Sequence, residues 1–89
     1  MHNSFEYDNL LGRPEWKRKR AQIIKRDDNK CRNCGCEEHL HVHHRQYRIY
    51  KSIGEFVQPW NYPSETLLTL CTDCHAKGHE IYKIPIINI

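Results

Sequence analysis

Apolar residues recur at helical spacing from Pro14 onward. Trp16, Ile23 and, less centrally, Ile24 fall on one side at a period near 3.6, with Arg18, Gln22 and Lys25 opposite. Pro14 suits a first turn, where a missing N–H has no intrahelical partner to lose. Asp27-Asp28-Asn29 closes the run, so the pattern predicts a helix over 14–28. Residues 1–13 show no clear period and read as a loosely held lead. Leu40 and Val42 then alternate with His39, His41 and His43, the two-residue period of a half-buried strand. Residues 48–63 follow no period. Tyr50, Phe56 and Trp60 are aromatic, Gly54 interrupts, and Pro59-Trp60-Asn61-Tyr62-Pro63 reads as turn, which predicts an ordered loop pinned by aromatic side chains. A short extended stretch from Ser64 to Leu70 precedes a helix from Asp73 to about Lys83. His75 and His79 share one face of that helix, and Gly78 weakens it modestly. The tail Ile84–Ile89 is apolar and has two readings, an end strand or a surface for self-association into a homodimer.

At 89 residues the chain is one domain with little core to bury. A structural metal suits such a chain. Binding of a structural zinc is worth on the order of 10 kcal/mol, comparable to the whole stability of a small domain. The chain carries 5 cysteines, so a disulfide framework would leave one thiol over. The first 20 residues are polar, without the apolar stretch of a secretory signal, and no membrane span is present. A reducing cytoplasmic setting is therefore expected, where Cys-x-x-Cys marks metal or redox chemistry. A redox dithiol needs one pair. Here Cys31-x-x-Cys34 and Cys71-x-x-Cys74 form two, the set of four that structural zinc prefers, with Cys36 left over. The histidines at 39, 41, 43, 44, 75 and 79 exceed what that site can use, and the surplus predicts a second metal centre. His2 and His39 read as surface residues. His41 shares the strand face of His43, as a support, a DNA contact or merely an exposed residue.

Formal net charge is only +3, but most of the 14 Lys and Arg fall between Arg13 and Arg32. Glu15, Asp27 and Asp28 alone oppose them there. Such a stretch attracts polyanions; the plainer reading is a solvated helix face. Beside a metal site the nucleic-acid reading gains. Lys17, Arg18, Arg20 and Lys25 are its candidates on the helix, with Arg45 and Arg48 as phosphate clamps or ordinary surface charges.

Between Cys34 and Cys71 lies more chain than the ~15–20 residues of a simple four-cysteine zinc site. The order Cys31-x-x-Cys34-Gly35, His43-His44 after a strand, Pro59-Trp60-x-Tyr62-Pro63, then Leu70-Cys71-x-x-Cys74-His75-x-x-x-His79 resembles the HNH endonuclease family in its four-cysteine, zinc-binding variant. The resemblance runs from about Trp16 to His79. It implies an α+β fold: a small zinc-stabilised ββα-metal domain, treble-clef-like, over residues 31–83, with an added N-terminal basic helix and the apolar tail 84–89. It further implies that His44 is the general base, that His43, His75 and His79 hold a catalytic divalent ion, and that DNA is the partner. Thr66 stands where the family has its middle asparagine, a brace for the base. One hydroxyl cannot span both sides as an amide does, and Asn61 lies five positions early. In a regular strand His43 and His44 point to opposite faces, so service at one site requires the strand to end or bend at His44.

The chemistry is coherent. A phosphodiester resists hydrolysis because its charge repels nucleophiles and its alkoxide leaves poorly. A divalent ion offsets that charge, and a neutral imidazole takes water's proton at neutral pH. Imidazole ligands suit Zn²⁺, Ni²⁺, Co²⁺ or Mn²⁺ better than Mg²⁺, whereas the resemblance implies Mg²⁺ or Mn²⁺. No organic cofactor is implied. Two rival classes remain: a zinc-stabilised nucleic-acid-binding module without catalysis, which Thr66 favours, and a metal-bridged protein-interaction domain using the isoleucine tail.

Overall fold

The computed structural model describes residues 9–89, so most of the lead, His2 included, lies outside the described residues. Helix α1 (Pro14–Arg26) starts on the proline, and Arg13 before it is extended, as a residue preceding proline prefers. It buries Trp16 and Ile23, the apolar side read from the pattern. It ends two residues sooner than that pattern suggested. Asp28 and Asn29 both adopt left-handed backbone, and Asn29 N–H returns to the Ile24 carbonyl at 2.9 Å, which closes the last turn.

Strand β1 (Leu40–His44) pairs antiparallel with β4 (Leu67–Cys71), Leu40 opposite Cys71 and His44 opposite Leu67. Directly opposed residues share a face. Val42, His44, Leu67 and Thr69 therefore look one way, and His41, His43, Leu68 and Leu70 the other. The first face meets α1 in a core of Trp16, Ile23, Val42, Val57, Tyr62 and Leu67. Helix α2 (Thr72–Ile81) follows β4 without a break. It stops short of Lys83 because Tyr82 is already extended, and Pro85 three residues on disfavours a longer helix.

The stretch read as a loop holds a second sheet. Strand β2 (Tyr47–Tyr50) pairs antiparallel with β3 (Glu55–Phe56), and the turn uses Gly54 at φ 70°. The tail supplies β5 (Ile86–Asn88), parallel to β2, giving the order β3-β2-β5. The end-strand reading of the tail is the one adopted, yet Ile86, Ile87 and Ile89 stay exposed on it. These strands escaped the pattern because they are two to four residues long and none alternates between buried and exposed. The fold is thus a small mixed α+β domain in which two helices pack on the β1–β4 pair and β3, β2 and β5 form a second sheet. No helix among the described residues is long and apolar enough to cross a membrane.

Much of the basic helix works internally. Arg20 donates to the Leu40 carbonyl at 2.7 Å and Arg26 to the carbonyls of Ser64 and Leu67, each at 2.7 Å. Arg26 also forks onto Asp27 at 2.9 and 3.0 Å. Asp27 in turn takes Arg32 at 2.9 Å and the Thr69 N–H at 2.9 Å. This network ties the end of α1 to the first cysteine turn and to β4.

Candidate metal centres and the groove beside them

The first cysteine turn folds around Cys31. The N–H groups of Asn33 and Cys34 point at its sulfur at 3.4 and 3.5 Å, and Gly35 N–H returns to its carbonyl at 2.9 Å. Gly35 sits at φ 80°, which a residue with a Cβ resists. Cys71 ends β4 and Cys74 lies in the first turn of α2. All four sulfurs lie within 4.8 Å of one another, with Cys34 and Cys71 at 3.7 Å. Four Zn–S bonds of ~2.3 Å in a tetrahedron require S···S of about 3.8 Å. The cluster can hold a metal ion such as zinc.

The sulfurs perturb one another's ionisation. Burial opposes ionisation of Cys31, but N–H groups of Cys34, Cys71 and Asn33 outweigh it and bring the thiol down to about 6. Cys34 receives the Cys36 N–H, yet the neighbouring sulfurs of Cys31, Cys71 and Cys74 push it up to about 12. All four can be thiolates together only with a positive ion among them. Cys36 lies outside, its sulfur against the backbone of Glu38.

A second cluster lies on the other face of the hairpin. Ring nitrogens of His43, His75 and His79 lie within 4.8 Å of one another, and the Nε2 atoms of His75 and His79 are 3.0 Å apart. β1 supplies the first, and one face of α2 the other two. His43 Nδ1 is buried with no hydrogen-bond partner. Such an atom costs about 1–3 kcal/mol in lost hydration, and coordination to an ion would satisfy it. Burial, then the charges of His75 and His79, hold His43 down to about 4. Burial and His79 likewise lower His75. Neutral imidazoles are what a metal requires. Three imidazoles leave coordination positions open, unlike the closed four-sulfur set. His41 stays outside the triad but stacks on His75 at 5.9 Å and bonds Thr72 Oγ1 at 3.0 Å.

His44 is the last residue of β1, and its pairing with Leu67 is regular, so its ring faces away from His43. It is 6 % exposed, stacked on Trp16 at 5.1 Å and edge-on to Tyr62 at 4.9 Å. Its Nε2 lies 3.0 Å from the Pro59 carbonyl. A carbonyl only accepts, so Nε2 carries the proton and Nδ1 keeps the lone pair. Burial lowers the pKa of this ring, and the Pro59 bond partly restores it. A charge on His44 is felt at both His43 and His75. Thr66 closes a single 3₁₀ turn (Ser64–Thr66). Its hydroxyl donates to the Pro63 carbonyl at 2.7 Å, and its own carbonyl accepts from Arg45 N–H at 2.8 Å.

The candidate polyanion contacts separate into two groups. Lys17, Arg18 and Lys25 are exposed on α1, which packs on the hairpin face opposite the triad, and make no side-chain hydrogen bond among the described residues. Arg20 is engaged with Leu40, and Arg48 with Gln46 at 2.8 Å and the Tyr62 ring. Arg45 opens onto a groove of about 810 Å³ that His43 also lines. Its other cations are Arg32, Lys77 and Lys83, and no acidic residue lines it. Lys77 and Lys83 carried no signal in the sequence; they meet because the chain leaves α2 at Tyr82 and runs on toward β5.

No family model, no curated protein and no solved structure matches this chain.

Proposed function

We propose that this chain is a metal-dependent nuclease with an HNH-type ββα-metal centre built on a treble-clef-like zinc site, hydrolysing phosphodiester bonds of DNA. The observation that supports this best is three imidazoles converging on one point, one of which, His43, also lines a groove that carries cations and no carboxylate. A phosphodiester is the substrate such a place suits: anionic, extended, and hydrolysed through charge build-up that a metal offsets.

β1 and α2 compose the centre, the strand through His43 and the helix through His75 and His79. A divalent ion held there would supply charge stabilisation at the phosphoryl and leaving oxygens. Arg45 at the groove rim binds and orients the phosphate. His44 is the base. The Pro59 carbonyl fixes its tautomer and leaves Nδ1 unprotonated; to take the proton of the attacking water the ring would have to leave its packing on Trp16, on the face away from the triad, and turn out from the end of β1. Trp16 and Tyr62 hold the ring, and burial keeps it neutral. Thr66 braces the loop before β4 through Pro63 rather than through an amide.

Plasmid nicking with added Zn²⁺, Ni²⁺, Co²⁺, Mn²⁺ or Mg²⁺ is the test. Cleavage by the wild type should fall roughly 10²–10⁴-fold in His44→Ala, the range of one general base, and disappear in His75→Ala. Salt-sensitive DNA binding without nicking in any of these ions would sink the enzyme. The binding-module reading would then stand, as the spent Thr66 hydroxyl already favours.

A further inference from the structure

The groove beside the triad is more than a patch of charge. Its rim carries Arg45, Lys77 and Lys83, while its wall includes Leu68, Ile81 and Tyr82. Ile81 and Tyr82 are 70 % and 72 % exposed, large apolar side chains that the fold leaves open to water. Duplex DNA offers its outside as phosphate and sugar and keeps its base faces stacked inside. A duplex laid on this groove would meet the cations and leave the apolar wall unused. An unpaired strand uses both, phosphates on the rim and a base on the aromatic face. A cavity of about 810 Å³ has the size that takes a drug-sized molecule, and a nucleotide is one. The absence of any carboxylate in the lining disfavours a cationic or mixed-charge peptide there.

We propose that the groove is a subsite for unpaired nucleic acid, with Tyr82 as the stacking platform and Lys77 and Lys83 as phosphate contacts. Unpaired flanks, flaps or single strands are then the preferred substrate class. This deepens the nuclease reading and rests on it for where the scissile bond lies, next to His43, but not for binding itself.

The test is fluorescence anisotropy on the zinc-loaded His75→Ala chain, which leaves the oligonucleotide uncut. The probes are a short oligothymidylate, a blunt duplex of equal length and an oligoglutamate peptide. The single strand should bind about tenfold tighter than the duplex or better. Tyr82→Ala should weaken it by about 5- to 150-fold, the loss of one stacked base, and leave the duplex within about twofold. Replacing Lys77 and Lys83 by Ser together should reduce the salt slope on the single strand by roughly 1.4. Equal or tighter duplex binding overturns the proposal. So does a Tyr82→Ala chain that binds the single strand unchanged, oligoglutamate competing equally, or no binding of any probe. Plasmid nicking by the wild type without single-strand preference removes this subsite and keeps the nuclease; the reverse pattern removes the nuclease and keeps the subsite.

Discussion

Asp27 shows how one side chain can hold several elements. It is 1 % exposed yet ionised: burial alone would raise its pKa, but Arg26, the Thr69 N–H and Arg32 outweigh it and hold the carboxyl well below the ordinary range. Its contribution to stability is therefore fully present above the unfolded carboxylate pKa of ~3.9 and is lost as pH falls toward the depressed folded value. Asp27→Asn should cost about 2–4 kcal/mol at pH 7, less than a fully buried pair because both arginines reach solvent. Its deficit against wild type should shrink below about pH 4. Urea melts of both chains from pH 7 to pH 3 check this; a deficit that does not change with pH would refute it. The sequence offered Asp27 only as a counter-charge to the basic run and a helix stop. Its network was illegible because Thr69 and Arg32 reach it only after β4 and the cysteine turn have folded over the end of α1.

Among the elements, α1 and the separate extended stretches that become β1 and β4 were legible, and the second sheet was not. Trp16 and Ile23 repeat at the helical period because one side of the helix must face the core, and that side is where the hairpin packs. Ile23→Ala should cost about 2–5 kcal/mol, the cost of a fully buried large-to-small change, and Ile24→Ala clearly less, since Ile24 is half-buried. Thermal melts of the two variants decide the helix orientation; equal losses would contradict it. In a regular strand His43 and His44 part company, and service at one site required β1 to end or bend at His44. β1 does end at His44, and its pairing stays regular to that residue. One ring joins the triad and its neighbour enters the core, so the two histidines do different work from adjacent positions. The β2-β3-β5 sheet has no comparable signature. Its strands are held by one another and by a tail from the far end of the chain, and such pairing leaves no local period to read.

At the scale of the whole molecule the two clusters could hold two metal ions, one in a closed set of four sulfurs and one on three imidazoles. The four sulfurs join the first turn after α1 to the start of α2, and the triad depends on α2 lying against β1. Elemental analysis should find two metal ions per wild-type chain after loading with excess Zn²⁺ and about one in His75→Ala, with the fold retained. Cys71→Ser should instead lose the cooperative fold, since a structural zinc contributes on the order of 10 kcal/mol. A folded Cys71→Ser chain with full metal content would refute the assignment of the cysteines. By itself the sequence determined the ligand types and their grouping: two Cys-x-x-Cys turns, paired histidines on a strand and two more one helical turn apart. Those are local facts, because the spacing that lets neighbouring side chains share an ion is set by backbone geometry over a few residues. That His43 meets His75 and His79 was implied by the family resemblance, and the tertiary structure brings the three together; the tertiary structure alone decided that His44 lies behind them against Trp16 and that Arg45, Lys77 and Lys83 line one groove. Each of those meetings joins residues far apart in the chain, and only packing across the hairpin and the closing of the sulfur site sets such distances.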